Sequence, residues 1–491
     1  MNPKFAALLR SNCAPTVMQT SEIRCLLESS ELSQLRELSV HPDELPDLLR
    51  SLRGTLSLIR TFPAELLGRV FIFCRDNSNA SKHSTLDPRE APMILGHVCR
   101  HWRSVAYNTP RLWDMVYLSN LASPDLPFDS SIVHDILAHS RHLPLEISLK
   151  YETRPESFSD ALACFDTLRA SHERLRTLTM YLLNPEFDIL PREKVFPVLS
   201  SIDIKIDYRI VGENLNRDAT VSGTLEGFSS APALRSLRLE ANFTPEDILI
   251  STFPWSQLTH LELYIRTEYT VARDVIIQCP ALEEVALVGS FGSGADLPLH
   301  THHLRTLSLH IFGDGPDVVL GAFVLPHLES LSLQSELPQA VHAIPALMAL
   351  HERSRFSLVH LKLSMELSPV DVALLLRTLS SLRTLSIRGS SITDHHFALF
   401  NLSSRPLRHP RLETLTIGYL NVALDGAVVA EMAETLAPDA ARIDAPFPAL
   451  RELRLVRGRS EYTNPVFSED VDARLDTLRA TGFLDDSIES R

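Results

Sequence analysis

The chain has 491 residues, 44% hydrophobic and 22% charged, with 47 basic against 61 acidic residues and a formal net charge of −14. That composition can fill several domains or one long repeat array, and its acidic excess argues against broad electrostatic binding to nucleic acid or an anionic membrane. Cys13, Cys25, Cys74, Cys99, Cys164 and Cys279 are far apart with no C-x-x-C pair, which argues against a disulfide framework or zinc site. The opening MNPKFAALLRSNC has too short an apolar run for a signal peptide, and no stretch approaches the ~20 apolar residues of a membrane-spanning helix. The expectation is a soluble protein of the cytoplasm, the nucleus or both.

Residues 1–60 read as a helical or partly disordered lead-in. Apolar residues keep helix-like spacing over Ser21–Arg60, and Pro42 and Pro46 rule out a long coiled coil. From Thr61, "TFPAELLGRVFIFC" predicts a helix with Thr61 as N-cap, Pro63 early and Glu65 in the first turn. Its apolar stripe is Leu66, Leu67, Val70, Phe71 and Phe73. A polar loop follows. "APMILGHVCRHWRSVAYN" then steps by threes and fours through Ile94, Leu95, Val98, Cys99, Trp102, Val105 and Ala106, which predicts one amphipathic helix. Leu112 and Trp113 fall in a new segment, where Trp113 is expected to pack the helices on the first repeat.

The stretch Thr61–Leu118 resembles an F-box. The resemblance rests on Phe62-Pro63-Ala64-Glu65-Leu66-Leu67, on Val98-Cys99-Arg100-His101-Trp102-Arg103-Ser104-Val105-Ala106, and on Leu112-Trp113. It is similar to F-box proteins of mushroom-forming fungi, with Phe62 replacing the usual Leu and a longer insertion from Arg75 to Pro92. The resemblance implies docking on a Skp adaptor, and through it on a cullin–RING ubiquitin ligase. The adaptor-facing candidates it implies are Phe62, Pro63, Leu66, Leu67, Val98, Cys99 and Trp102; half of them could instead fill the module's own core. Residues 60–120 carry eight Arg or Lys against five Asp or Glu, which would suit the acidic adaptor that the family uses.

Residues 119–174 read as a linker and an N-terminal cap, with "LPLEISL" (Leu143–Leu149) as a degenerate first strand. An L-x-x-L-x-L hexapeptide then recurs eleven times, starting at Leu175, Leu199, Leu234, Leu258, Leu282, Leu304, Leu328, Leu358, Leu382, Leu412 and Leu450. Five of the intervals are 24 residues. This is the leucine-rich-repeat pattern, and leucine-rich repeats after an F-box are a known combination. Between the hexapeptides, "SPVDVALLLRTL" predicts a helix capped by Ser368, and "TVARDVIIQCPALEEV" one that stops before Pro280. The expected fold is thus an α/β repeat: a small helical F-box followed by a curved solenoid over 175–460, with a strand and a helix per unit and strands on the concave face. Residues 461–491 read as an acidic tail or cap.

Period two places the fourth and sixth hexapeptide positions inside and the third and fifth outside. The outward rows carry no continuous Lys/Arg track and no aromatic platform, which argues against nucleic acid. Arg238, Glu240, His260, Glu262 and Glu284 form an acidic-leaning group and Lys362, Arg388 and Arg454 a basic one, the candidate target-binding residues for a polar protein partner. For each of them, simple solvation of an exposed sheet is the alternative.

No catalytic signature stands out. "GSFGSGADL" (Gly289–Leu297) lacks the G-K-[ST] ending of a phosphate loop, and no G-x-S-x-G elbow occurs. "HTHHL" (His300–Leu304) and "DHH" (Asp394–His396) are weak metal candidates, the second doubling as a helix entry capped by Thr393 or Asp394. The expectation is a non-enzymatic substrate receptor with no cofactor and no metal. The alternative is a leucine-rich-repeat scaffold that binds protein without a ubiquitin ligase.

Overall fold

The computed structural model describes residues 8–9, 14–28, 45–77, 85–119, 130–150, 166, 169–182, 195–206, 225–240, 252–265, 269–289, 298–312, 316–335, 342–390, 392–400, 411–419, 424–437, 447, 450–457 and 468–488. Two compact units emerge: Met1–Leu183 with Ile189–Ser200, and Asn184–Asp188 with Ser201–Arg491. Among the described residues no helix is long and apolar enough to cross a membrane.

The first unit opens with α1 (Val17–Glu28) and α2 (Leu45–Thr55), which share a small core of Leu8, Ile23 and Leu52. Pro46 lies in the first turn of α2, where its missing N–H breaks no helical bond; Pro42 lies outside the described residues. A 3₁₀ turn, Leu58–Thr61, leads to α3 (Ala64–Asp76). Thr61 is therefore not the cap of α3. Residues before proline are pushed out of the helical region, and Phe62 is extended at φ −68, ψ 129, so the helix begins only after Pro63.

The single helix expected over 91–108 is two, α4 (Met93–Val98) and α5 (Arg100–Tyr107). Cys99 between them is extended, at φ −164, ψ 171. Its Sγ accepts the N–H of Trp102 at 3.3 Å, so a thiol stands where Ser or Asp usually caps a helix. Three parallel strands follow: β1 (Met115–Ser119), β2 (Leu145–Lys150) and β3 (Leu175–Leu182), with α6 (Ser130–His139) between the first two. Val116, Ile147 and Leu178 align across them and are buried. The strand expected at Leu143–Leu149 is thus the second, preceded by Met115–Ser119.

The second unit is a parallel sheet paired strictly in chain order. Its strands are β4 (Ser201–Ile206), β5 (Ser236–Glu240), β6 (His260–Ile265), β7 (Glu284–Gly289), β8 (Thr306–Ile311), β9 (Ser330–Ser335) and β10 (His360–Ser364). Then come β11 (Thr384–Gly389), β12 (Thr414–Tyr419), β13 (Glu452–Arg457) and β14 (Leu484–Ile488). Helices alternate with the later strands: α7 (Tyr269–Gln278), α8 (Pro316–Gly321), α9 (Ala343–Ser354), α10 (Pro369–Thr378), α11 (Asp394–Ala398), α12 (Gly426–Leu436) and α13 (Glu469–Ala480). Thus the acidic 461–491 stretch contains a helix and a strand. Ser368 caps α10 through a capping box with Asp371, as the sequence predicts.

One register runs through the sheet. Leu237, Leu261, Val285, Leu307, Leu331, Leu361, Leu385, Leu415 and Leu453 are partners in a single row, and each is at most 2% exposed. Burying such a side chain contributes about 1.5–3 kcal/mol. At the strand entrances from β5 to β12 the second-position carbonyl accepts two N–H groups from the next repeat. The Thr259 carbonyl takes Glu283 and Glu284, Glu283 takes Arg305 and Thr306, and Arg305 takes Glu329 and Ser330. The hexapeptide thus fixes the strand, while the loop behind it varies in length.

Candidate functional sites

Helix α3 is apolar on two faces. Leu67, Gly68 and Phe71 turn inward and are buried, whereas Leu66, Val70 and Phe73 form an outer stripe that is 43%, 42% and 68% exposed. Phe62 and Pro63, just before the helix, are exposed, and so are Leu58 and Ile59 on the 3₁₀ turn. On α4, Ile94 and Val98 make a second exposed apolar pair one turn apart.

The seven residues that the F-box resemblance singles out therefore separate. Phe62, Pro63, Leu66 and Val98 are exposed, Cys99 and Trp102 half-buried, and Leu67 fully buried in the core. Trp102 lies against Phe71 with ring centroids 4.9 Å apart, tying α5 to the inner face of α3. Leu58, Ile59, Val70, Phe73 and Ile94 extend the exposed apolar surface beyond the motif. For Val70 and Phe73 the signal was their helical spacing from Leu66.

The end of α3 and Thr85 are each held to the stretch Arg111–Tyr117. The buried Arg75 guanidinium pairs with Asp114 at 2.7 Å and with Asp76 at 2.8 Å, and donates to the Arg111 carbonyl. Thr85 forms a two-way link with β1: its N–H donates to the Tyr117 carbonyl at 2.7 Å, and its Oγ1 accepts the Tyr117 N–H at 2.8 Å. Trp113, 1% exposed, donates its indole N–H to the Ala106 carbonyl at 2.8 Å and packs against Tyr107 and His139. Trp113 thus joins α5 to α6, the helix of the first strand pair.

On the outward face of the second unit the candidate target-binding residues are mostly paired with neighbours one repeat away. Arg238 is shared between Asp203 at 3.8 Å and Glu262 at 3.5 Å, and donates to the Tyr264 hydroxyl at 3.0 Å; that hydroxyl in turn donates to Glu262. Glu240 holds Lys205 at 2.6 Å, and Glu284 meets His260 at 3.6 Å. Burial pushes the Asp203 carboxyl up; Arg238 pulls against this, and Glu262 and Glu240 add to the rise. Between these residues lies a shallow depression of ≈ 260 Å³ whose lining includes the small residues Ser236, Ala286 and Ser308.

Further side chains complete this face. Tyr264 stands on the outward row at the seventh position, with its ring 5.2 Å from the Arg238 guanidinium, so the face does carry an aromatic. Arg454 is paired with Glu452 on its own strand at 2.7 Å, which cancels its charge. Lys362 is exposed and forms no ion pair among the described residues. Arg388 lies across Gly418, where an added Cβ would stand 2.6 Å from its Cγ; only glycine leaves that path open.

The histidines stitch one repeat to another. His302 Nε2 bonds the Cys279 carbonyl at 2.9 Å, and His396 Nε2 bonds the Leu367 carbonyl at 2.9 Å; both rings are buried. Thr393 caps α11, its N–H meeting His396 Nδ1 at 3.1 Å. Among the described residues no three His, Cys, Asp or Glu gather as a metal site would require. Burial pushes the Cys279 thiol up to about 12, so it stays protonated and a poor nucleophile.

Burial also holds the His302 imidazole below its ordinary value of 6.5. As the pH falls through that value the unfolded chain takes up a proton that the folded chain refuses, so stability drops. His302→Gln should flatten the fall in urea midpoint between pH 7 and pH 5. An unchanged slope would mean that other groups dominate.

Compared with protein-family models and with curated proteins, the chain matches none. The architecture stands on its own geometry: N-terminal helices followed by parallel strands that alternate with helices, an α/β repeat.

Proposed function

We propose that this chain is the substrate-recognition subunit of a Skp–cullin–F-box ubiquitin ligase. In this reading the helices of residues 61–118 form an F-box that docks on the Skp adaptor, and the outward face of the repeat sheet holds the target protein. The chain performs no catalysis, because ubiquitin transfer belongs to other subunits.

The observation that carries the reading is the outer stripe of α3. Among the described residues, nine of the eighteen large apolar side chains most open to solvent lie between Leu58 and Tyr107. Such a concentration on one small module marks a surface that a partner covers. The F-box resemblance supplies the partner, since Phe62, Pro63, Leu66 and Val98 all belong to its motif and all stand exposed.

The test is co-purification of the tagged full chain with adaptor and cullin. Wild type should retain both, and Pro63→Ala with Leu66→Glu should lose both while the repeats stay folded. A wild-type chain that holds one stable partner but never an adaptor would favour the ligase-free scaffold.

A further inference from the structure

The outward face of the second unit is electrically two-ended. Among the described outward residues of β4–β7, four carboxylates (Asp203, Glu240, Glu262 and Glu284) stand against two cations, Arg238 and Lys205, an excess of two negative charges. On β8 and β9 the outward positions are Thr306, Ser308, His310, Ser330, Ser332 and Gln334, with no Asp, Glu, Lys or Arg. On β10–β12 the charged outward residues are Lys362 and Arg388, with no carboxylate in the same rows.

The excess charges sit at definite places. Arg238 and the Tyr264 hydroxyl occupy Glu262 on one side, whereas among the described residues Glu284 meets a half-exposed histidine at 3.6 Å and no Lys or Arg. Beside them the small side chains of Ala286 and Ser308 open the ≈ 260 Å³ depression, whose rim includes Glu262 and Glu284 together with Arg238. That is room for the end of one long side chain, and two carboxylates against one guanidinium favour a cation. At the other end Lys362 is exposed and without an ion pair among the described residues.

We propose that this face holds an extended segment of a partner protein lying across the strands. A lysine or arginine of the segment enters the depression over Ala286 between Glu262 and Glu284, and an aspartate or glutamate meets Lys362. The proposal rests on the reading of the sheet face as the target-holding surface. Strands stand about 4.8 Å apart, so the three steps from Glu284 to Lys362 and the four from Glu262 span about 14–19 Å. An extended chain covers that distance in about four to six residues, which sets the spacing of the opposite charges. Such charges select the partner and fix its direction more than they add raw affinity.

The test is selection of random 12-residue displayed peptides on the immobilised full chain. Enriched peptides should carry a basic and an acidic residue four to six positions apart. Glu284→Lys and Lys362→Glu should each weaken them about tenfold, and the double exchange should restore binding to peptides of reversed charge order. Far-UV circular dichroism checks that the variants fold. No enrichment, enrichment without the charge pair, or binding that the single reversals leave unchanged overturns the proposal. Adaptor co-purification is measured on the same proteins. If it is retained when the peptides fail, only this inference falls; if wild type lacks it, the ligase reading falls whatever the peptides do.

Discussion

Leu66→Ala and Leu67→Ala, one residue apart on α3, are expected to fail in different assays. Leu67 is fully buried, and removing its side chain leaves a cavity against Phe71 and its neighbours. The expected cost is about 2–5 kcal/mol, seen as a lower urea midpoint by tryptophan fluorescence. Leu66 is 43% exposed, so its loss should change stability by no more than about 0.5 kcal/mol. Its effect should instead appear in adaptor binding, where a truncated anchor costs about 2 kcal/mol or more, a loss of roughly thirtyfold. If Leu66→Ala unfolds as early as Leu67→Ala, the outer stripe is covered by the chain itself and the docking surface disappears.

Trp113→Ala should be among the most damaging single changes in the first unit. The indole is 1% exposed, bonds the Ala106 carbonyl and lies 5.6 Å from the Tyr107 ring and 5.5 Å from His139, centroid to centroid. Truncating a buried aromatic of this size costs about 3–5 kcal/mol. Trp113→Phe keeps most of the packing but strips the Ala106 carbonyl of its donor, so a cost of about 1–3 kcal/mol is expected. Urea unfolding of the three proteins orders them. Equal midpoints for Trp113→Ala and wild type would show that α5 and α6 do not depend on this side chain.

The sheet was legible because its signal is local. A strand alternates every two residues, so L-x-x-L-x-L names the buried positions without reference to anything distant. The helix at Pro369–Thr378 was legible for the same reason, since Ser368, Pro369 and Asp371 all act within one turn. The break at Cys99 was hidden because steps of three and four residues run straight across it, from Leu95 to Val98, Cys99 and Trp102. β1 escaped because Trp113, not a leucine, stands three residues before Val116, so Trp-x-x-Val-x-Leu hides the hexapeptide although all three are buried.

The candidate sites were legible only as lists. The sequence gathers Glu240, Glu262 and Glu284 but cannot say that each has a partner one strand away, because that depends on register. Tyr264 was missed because its partner Arg238 lies 26 residues back on the neighbouring strand, and Thr85 because its partner Tyr117 lies 32 residues on.

The Thr85 link bears on how the protein behaves in a crowded solution. A bare strand edge is a template on which another chain can add, and repeated addition makes fibres. On β1 the Tyr117 amide and carbonyl are both already spent on Thr85. Thr85 thus serves colloidal stability: by occupying both polar backbone groups of Tyr117 it removes one place where another molecule's strand would add.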